Sequence, residues 1–457
     1  MAMNKAALKK RHGDYEESKG LWDFFYQSYE GGANYIEGGN LIQHPREDTT
    51  VYNRRKERAY YVNYCGAIID TYIAHLNKQA PIVSVPKPAG AWAEFSKDVN
   101  RRSDSISEFR REVQVAAMVL GQTFIVVDKP DSEALSLAEE IDTGAPFFVH
   151  YYPWDVIDWE LDEFGKPYWV KLLEVDRRVP SNPFEKRAAS KVLYKIWQRD
   201  SWSLLNSDGK VISSGDNPLG EVPIVPVLNR KKLGKSMIGI SALNDIAYLN
   251  KRIFNLGSLI DQFAFSAAFP MLRNPQVPGG ESGDVSVSER TVFEYPDSAN
   301  HPPEWMSPPT EPLKFLSEEI ATTVKEIQRL ARLEAGFDIK PSQAQSGISK
   351  AFDWLSTATV LAEKADNFEE AERNAVRLWL KWQGMEDAPF TVDYPDEFDM
   401  KSLEKEIEDA VKLKSLQITP TFEAELMKRL AKKALPKIAD EKANDIEEEI
   451  GANGTVS

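Results

Sequence analysis

The feature that most constrains this chain is a short, proline-bearing strand followed by one very long helix. Residues 221–228 are largely apolar and include two prolines, which favours a strand at the edge of a sheet. Ser241 is a good N-cap residue, and no proline interrupts the sequence from there to Pro270. A helix over 241–269 would be on the order of 40 Å long, well beyond the usual three turns of a globular helix.

The residues of this helix argue against a membrane span. Desolvating each charged side chain at bilayer depth costs about 2.5–3.5 kcal/mol. The polar and charged residues are Asn244, Asp245, Asn250, Lys251, Arg252, Asn255 and Asp261. An apolar stripe recurs at spacings of three and four: Ile246, Leu249, Ile253, Leu256, Ile260 and Phe263. The pattern therefore predicts a helix that packs on protein along one side only and turns its polar side to water or to a charged surface.

Composition limits the class of protein. With 457 residues, 42% of them hydrophobic, the chain is expected to fold into two to four soluble, globular domains. A net charge of −15 argues against a DNA-binding protein that wraps phosphates with a basic face, but not against a surface past which DNA slides. The single cysteine, Cys65, excludes a disulfide within the chain and is predicted to lie in the core. The basic N-terminus lacks a following apolar segment, which predicts a cytosolic protein.

The first 240 residues mix helical and strand periodicities. A helix is predicted over 52–76, with Arg54, Arg55 and Arg58 near its start, and another over 105–121, where Ser105 and Glu108 form a capping box. Short β-rich runs follow at 123–127, 147–152, 168–174, 192–198, 202–205 and 210–213. The fold class predicted from this order is α+β with antiparallel strands.

Long helices dominate the rest. A Pro/Gly-rich insert follows Pro270 and contains an alternating, hairpin-like run at 285–294. A second long helix is predicted from Thr310, as N-cap, to Gly336, and a polar loop follows it. A third long helix is predicted over 349–383, closed by Gly384, and residues 400–450 are strongly charged and helical.

Two patterns imitate chemical sites. Gly234-Lys235-Ser236, between a strand and a helix, imitates a phosphate-binding P-loop, but Asn229 stands where the first glycine is needed. The second pattern is an acidic cluster that could hold a hard cation: Asp155, Asp158, Glu160, Asp162 and Glu163. Its alternation favours Asp155 and Asp158 as exposed residues of a strand and turn. The five histidines are scattered, and no catalytic motif is found, so we expect no enzyme, cofactor or metal.

The order of the elements resembles that of the portal, or head-to-tail connector, proteins of tailed bacteriophages. Local matches occur in the family's order from about residue 50 to 385: Tyr52-Asn-Arg-Arg-Lys-Glu-Arg-Ala-Tyr-Tyr-Val-Asn63 with Ile69 and Pro81, Gly121 with Val126-Val-Asp-Lys-Pro130, Tyr152-Pro-Trp-Asp-Val-Ile-Asp-Trp159, Val222-Pro-Ile-Val-Pro226, and Ala247-Tyr-Leu-Asn250 with Phe269-Pro270. The resemblance implies a portal-like fold with these parts: an N-terminal arm and α/β wing (1–240), a first stem helix (241–269), a clip (270–311), a second stem helix (312–336), a tunnel loop (337–349), a wing return helix and strand (350–399), and a helical crown (400–457).

The resemblance also implies partners. Copies of the chain would form a ring, usually of twelve subunits, at one capsid vertex of a virion assembled in the host cytoplasm. Double-stranded DNA would pass through the ring without sequence recognition during packaging and ejection. The clip would dock the terminase large subunit and later a head-completion or tail adaptor protein, and capsid and scaffolding proteins would be further partners. No membrane partner is implied.

Three sets of site residues follow from the resemblance. The tunnel loop around DNA would use Asp338, Lys340, Ser342, Gln343, Gln345 and Ser346. The stem, facing the channel or a neighbouring subunit, would use Lys251, Arg252, Lys325, Arg329 and Arg332. The docking surface of the clip would use Glu281, Asp284, Glu289, Arg290 and Glu294.

Spacing alone leaves two questions open. The stem cations face DNA, a neighbour's Asp245, Asp261 or Glu326, or solvent. The chain itself is a portal, a P-loop-like NTPase built around Lys235 and Ser236, or a non-viral helical scaffold that uses its long helices only to oligomerise.

Overall fold

Antiparallel sheets and long helices share the chain, as the α+β pattern predicts. The computed structural model describes residues 5–85, 90–130, 145–176, 191–267, 271–275, 292–295, 304–306, 310–333, 347–395, 398, 423, 426, 427 and 431. The described residues divide into two units: the first lies within Met1–Tyr26, Ala67–Asn244 and Asp338–Ser457, and the second within Gln27–Gly66 and Asp245–Phe337.

The helices are α1 (Lys5–Lys9), α2 (Gly13–Glu30), α3 (Gly32–Tyr35, continued by a π-helical turn, Ile36–Asn40), α4 (Thr49–Arg58), α5 (Tyr64–Leu76), α6 (Gly90–Phe95), α7 (Ile106–Leu120), α8 (Ile246–Ala267), α9 (Glu311–Leu330) and α10 (Gly347–Trp382). The strands are β1 (Ile82–Ser84), β2 (Gln122–Asp128), β3 (Phe147–Tyr151), β4 (Val156–Leu161), β5 (Pro167–Asp176), β6 (Lys191–Gln198), β7 (Ser201–Asn206), β8 (Val211–Asp216), β9 (Ile224–Leu228), β10 (Met271–Pro275), β11 (Val292–Tyr295), β12 (Glu304–Met306) and β13 (Thr391–Asp393).

The strands of the first unit pair antiparallel. Strands β4 to β8 form a five-stranded sheet in chain order, and β3, β2 and β9 form a second sheet with β9 at its edge. The edge position of β9 was predicted from its prolines and is confirmed, since Pro226 lies opposite Phe124 on β2 and has no N–H to donate. The other strands predicted in this unit are also present, and their ends differ by at most three residues from the prediction.

The second unit contains α8, α9 and a small mixed sheet. In that sheet β10 is the central strand, parallel to β11 and antiparallel to β12. The hairpin predicted over 285–294 lies mostly outside the described residues.

Helix α7 ends where three chain segments meet. Its capping box, Ser105 with Glu108, is formed as predicted, and Gly121 ends the helix with a φ of 90°. Gly239 lies so close that a Cβ on it would stand 2.2 Å from the carbonyl oxygen of Gly121. The hydroxyl of Ser241 donates to the carbonyl of Val119 at 2.6 Å and accepts from the N–H of Leu243.

The predicted start of the long helix is therefore wrong. Ser241 caps a turn, residues 242–245, and the helix begins only at Ile246. The reason is tertiary: the N–H of Ala242 is held by the carbonyl of Met118 in α7, which keeps this segment out of the helix.

The side chain of Asn229 joins the same turn to the neighbouring helix. Its Nδ2 donates to the carbonyl of Ile240 at 2.7 Å, and its Oδ1 accepts from the ammonium of Lys364 on α10. The backbone N–H of Asn229 also donates to Gly121. Every polar group of this buried asparagine is thus used in holding segments together.

The helix predicted over 52–76 is two helices. Helix α4 ends at Arg58, Ala59 adopts an extended conformation, and α5 starts at Tyr64. The sequence of this region has helical periodicity throughout, so the break comes from contacts described below.

We predict that alanine at Gly239 destabilises the protein, whereas alanine at Gly257 does not. The new methyl group at Gly239 would overlap a backbone carbonyl that cannot move without breaking the end of α7, at a cost of about 1–3 kcal/mol or more. Gly257, inside α8, has no atom within 4 Å of an added Cβ, so alanine there should stabilise the helix by about 0.5–1 kcal/mol. Chemical unfolding followed by circular dichroism measures both, and equal transitions for the two variants would contradict the packing described here.

We also predict a pH-dependent role for Glu221, which precedes β9. Burial alone would raise the pKa of Glu221, but hydrogen bonds from Arg377 and Lys381, at 2.7–3.0 Å, lower it from 4.5 to about 2. Because the pKa is lower in the folded state, this carboxylate stabilises the protein above pH 4.5 and loses its effect as the pH falls from 4.5 towards 2.

Glu221→Gln should therefore lower the unfolding free energy by about 1–3 kcal/mol at pH 7. The difference in unfolding free energy between the variant and the wild type should become smaller below pH 4.5. Glu370→Gln is the matched control, since Glu370 and its partner Lys231 are both more than half exposed and an exposed pair contributes little. A gap that is independent of pH would contradict the assignment.

Candidate functional site

A line of uncharged polar side chains runs along α8, and we call Asn250, Asn255, Ser258 and Gln262 the polar seam. Asn250 is completely buried: its Oδ1 accepts from Tyr61 Oη at 2.9 Å and from the N–H groups of Tyr64 and Cys65, while its Nδ2 donates to Val62. Tyr64 and Cys65 are the first two residues of α5, whose N–H groups have no partner inside that helix. Asn250 thus caps α5 from another helix, which explains where α5 begins.

The remaining seam residues bind the chain between α3 and α5. The amide of Asn255 accepts from the N–H of Ile42 at 2.8 Å and donates to the carbonyl of Asn40 at 3.0 Å. Ser258 accepts a 2.7 Å hydrogen bond from Arg55, which is buried and also forms a two-pronged ion pair with Glu47. The hydrogen bonds from Arg55 lower the pKa of Glu47.

The seam corrects the prediction that α8 packs on one side only. Asn250 and Asn255, assigned to the water-facing side, are bound to protein, so apolar and polar sides of the helix both pack. The seam residues are uncharged, in contrast to Lys251, Arg252 and Asp261 on the same helix. Separating amides from charges in the sequence would have identified the buried side.

Two of the five predicted stem cations form ion pairs with carboxylates of their own chain. Arg252 on α8 forms an ion pair with Glu319 on α9, and Arg329 binds Glu326 one turn away at 2.8 Å. Lys251 is half-buried, and this burial lowers its pKa. Lys325 is exposed on α9, and Arg332 lies just beyond that helix with a φ of 54°. The sequence suggests DNA or a neighbour's carboxylate as the partner of these cations. For Arg252 and Arg329, the partner in the structure is a carboxylate of the same chain.

The helix pair α8–α9 has no net formal charge. Its five basic residues are Lys251, Arg252, Lys314, Lys325 and Arg329, and its five acidic residues are Asp261, Glu311, Glu318, Glu319 and Glu326. No described helix, this pair included, is both long enough and apolar enough to cross a bilayer.

The same two helices present large apolar side chains to solvent. Between 40% and 61% of each of the following is exposed: Tyr248, Leu259 and Phe265 on α8, and Phe315 and Leu330 on α9. Single exposed apolar residues are common, whereas a contiguous apolar patch marks a surface that binds another molecule.

Two predicted sets cannot be compared with the structure. The tunnel-loop residues lie outside the described residues: Asp338, Lys340, Ser342, Gln343, Gln345 and Ser346. So do the clip residues Glu281, Asp284, Glu289 and Arg290. Glu294 belongs to the backbone of strand β11.

The P-loop-like segment lacks the backbone geometry that binds phosphate. In a P-loop, the lysine and serine lie at the start of a helix, and the N–H groups of its first turn point at the phosphates. Here Gly234, with a φ of 93°, lies in an exposed loop, and the hydroxyl of Ser236 donates to Asp14 and accepts from the N–H of Ile238. The next helix starts only at Ile246.

The acidic cluster is dispersed among separate structural roles. Asp158, predicted to be exposed, is buried in β4 and pairs at 2.9 Å with Lys171, so that prediction is wrong. Burial raises the pKa of Asp155. Asp162 accepts from the N–H groups of Phe164 and Lys166 and closes the β4–β5 turn. Within the described part of the chain, no group of three or more His, Cys, Asp or Glu residues is arranged to hold a metal ion.

His150 takes part in a hydroxyl–imidazole–carboxylate chain that sequence spacing did not reveal. Its Nε2 lies 2.6 Å from Thr123 Oγ1, and its Nδ1 lies 3.0 Å from Glu112 Oε1. The order resembles a hydrolase triad, but Thr123 is completely buried and donates to the carbonyl of Tyr151. A substrate carbonyl has no access to that oxygen, so the arrangement joins α7 to the β2–β3 sheet.

Cys65 lies in the core, as predicted. It is fully buried, and burial raises the pKa of its thiol to about 12.

Comparison with known proteins gives distant likenesses among solved structures alone. No protein-family model matches the chain, and no curated protein matches it. Among solved structures, it is similar to a chain from the virion of a native gene transfer agent particle, with a TM-score of 0.39 and 9% identity over 84% of this chain and 92% of that one. Similarity at this level does not establish a shared fold.

We predict that Asn250→Ala opens the second unit locally. The substitution removes the partner that Asn250 gives to the N–H of Cys65. It also removes one of two partners each from the Tyr61 hydroxyl, the Tyr64 N–H and the Val62 carbonyl, and the total cost is roughly 1–3 kcal/mol. Cys65, the only cysteine, provides the measurement, because a buried thiol reacts with a disulfide reagent such as DTNB only when the structure opens. The labelling rate should rise by more than about tenfold.

Asn374→Ala is the control, since this asparagine is exposed on α10 and its amide bonds only within that helix. Equal labelling rates for the two variants would contradict the capping role of Asn250.

Proposed function

We propose that this chain is a portal-type subunit, a non-enzymatic protein that assembles with copies of itself into a ring and conducts double-stranded DNA through the ring. The observation that carries the proposal is the helix pair α8–α9. These helices, of 22 and 20 residues, are about 33 Å and 30 Å long, pack on each other, and are joined by a segment that contains the sheet β10–β12.

The exposed side chains of the pair support self-assembly. A monomer gains nothing by exposing Tyr248, Phe265 and Phe315, whereas neighbouring copies around a ring would cover them. Burying a large apolar side chain contributes about 1.5–3 kcal/mol, so a few such residues per interface suffice to hold a ring of many copies.

The charge of the pair suits a conduit. A protein that neutralises several phosphates binds DNA tightly, and its affinity falls steeply with salt. Five basic and five acidic residues give α8–α9 no net attraction for phosphate, and Arg252 and Arg329 are already paired with carboxylates. DNA next to such a wall would slide instead of binding.

The finer assignments belong to the same proposal. Residues 270–311 would be the clip that docks a terminase large subunit and later a head-completion or tail adaptor protein, and residues 337–349 the tunnel loop. Twelve subunits at one capsid vertex of a virion, assembled in the host cytoplasm with capsid and scaffolding proteins, would complete the assembly.

Negative-stain images and light scattering of the purified full chain test the proposal. We predict rings with an axial hole, and we predict that Phe315→Glu weakens their assembly by about tenfold or more, because a charge would have to be buried between subunits.

Asn374→Glu, which adds the same charge at an exposed position of α10, should leave the rings intact. A monomer or dimer at all concentrations would contradict the proposal in favour of a helical scaffold. ATP hydrolysis that is lost in Lys235→Ala would contradict it in favour of an NTPase.

A further inference from the structure

The first unit has an exposed apolar surface of its own. Leu233, in the loop after β9, is fully exposed, and 78% of Phe164, in the β4–β5 turn, is exposed. These are the two most exposed large hydrophobic side chains among the described residues. Both occupy turns that carry basic residues.

The two turns are adjacent and well ordered by hydrogen bonds. A Cβ built on Gly165 would lie 3.5 Å from Cγ of Lys235, so the turns touch. The loop with Leu233 is closed at its base, where the N–H of Ile240 donates to Arg230 at 2.9 Å. Asp162 binds two N–H groups of the other turn and the guanidinium of Arg199. Leu233 and Phe164 are thus presented by a preorganised structure, which lowers the entropic cost of binding a partner.

This surface is basic in an acidic chain. Lys166, Lys232 and Lys235 are exposed in these two turns, together with one acidic residue, Glu163, while the whole chain carries a net charge of −15. We call Phe164, Lys166, Lys232, Leu233 and Lys235 the basic surface. A fully exposed leucine among cations fits a protein partner with apolar side chains and carboxylates better than it fits the uniform phosphates of DNA.

The opposite edge of the same sheet has the complementary character. Strand β8 is the outer strand of the five-stranded sheet, and Val211 and Ile212 on it are about half exposed. Asp208 precedes the strand, Asp216 ends it, and Asp200 lies beside that end, against one basic residue, Lys210. We call Asp208, Val211, Ile212 and Asp216 the acidic surface.

We propose that the basic surface of one copy binds the acidic surface of the next. Leu233 and Phe164 would pack on Val211 and Ile212, and the lysines would pair with the two aspartates and fix the orientation. The β4 and β8 edges are about 19 Å apart across the sheet, so each copy keeps one surface of each kind for a different neighbour. A contact between two different surfaces builds a ring where the rotation between copies closes and an open filament where it does not, whereas a self-complementary contact stops at a dimer.

The inference rests on the proposed ring and adds a second, charge-directed contact to it. Reversing charges tests it directly. Lys232→Glu/Lys235→Glu makes both surfaces acidic, and Asp208→Lys/Asp216→Lys makes both basic. Each variant alone should need about tenfold more protein than the wild type to form rings, measured by sedimentation velocity. A one-to-one mixture of the two variants should restore assembly, because each kind of copy then finds its complement on the other.

The control is Lys78→Glu/Arg111→Glu, an equal reversal at an exposed position just after α5 and one on α7, which should assemble normally. Circular dichroism verifies that every variant is folded. If the wild type forms rings and the variants are unaffected, this interface is wrong and the proposed function stands. The same holds if the wild type forms rings and the mixture fails to assemble. Absence of wild-type rings would overturn both. Normal assembly of the lysine variant with weaker binding to a double-stranded DNA fragment would identify the basic surface as a nucleic-acid contact and overturn the inference.

Discussion

The requirement that buried polar groups keep their hydrogen bonds determines how both units of this protein are built. Asn229 in the first unit and Asn250 in the second are buried, and each joins segments that are far apart in the chain. An amide left without partners in the interior costs about 1–3 kcal/mol per group, which is a large fraction of a typical folding free energy. The positions of the turn after β9 and of the start of α5 follow from satisfying these two side chains.

The same constraint explains how the 36-residue helix α10 is held in the first unit. Three polar contacts lie along it: Lys364 with Asn229, Glu372 with Arg110 of α7, and Arg377 with Glu221. The buried Arg110–Glu372 pair is completed by the hydroxyl of Tyr394. Burial lowers the pKa of Lys364 to about 8, so even the one amine that binds an amide instead of a carboxylate remains largely protonated at neutral pH. Because charged side chains bind partners at three positions along α10, the helix has one register. A shift of one turn along its axis would leave each of these charged groups without its partner.

Local sequence patterns predict most of the helices and strands. The features that they do not predict are determined by contacts between residues far apart in the chain. The capping box of α7, the edge position of β9 and the antiparallel strands depend on neighbours within a few residues, and the structure contains them all. The start of α8, the break between α4 and α5 and the buried side of α8 depend on pairs such as Ser241–Val119, 122 residues apart, and Tyr61–Asn250, 189 apart. No periodicity identifies which of two asparagines on a helix will meet a partner at that distance. The partner of Arg252, Glu319, depends on how α8 and α9 pack, whereas Arg329 and Glu326 pair within α9.

Pairing within the chain has a consequence for the proposed conduit. Cations that face a channel attract DNA less when a nearby carboxylate neutralises them. Arg252 is paired with Glu319 in this way, and Arg329 with Glu326. These pairs are largely exposed, so they contribute little to stability, but they keep the helix surface neutral at short range. Lys232 and Lys235 differ, because no carboxylate in the described residues forms an ion pair with either. Cations kept beside a fully exposed leucine are available to a partner, and in the proposed ring the carboxylates beside strand β8 of a neighbouring copy would provide one. The ion pairs of α8–α9 thus suit the proposed surface past which DNA slides. The unpaired lysines of the basic surface suit the proposed contact with the next subunit.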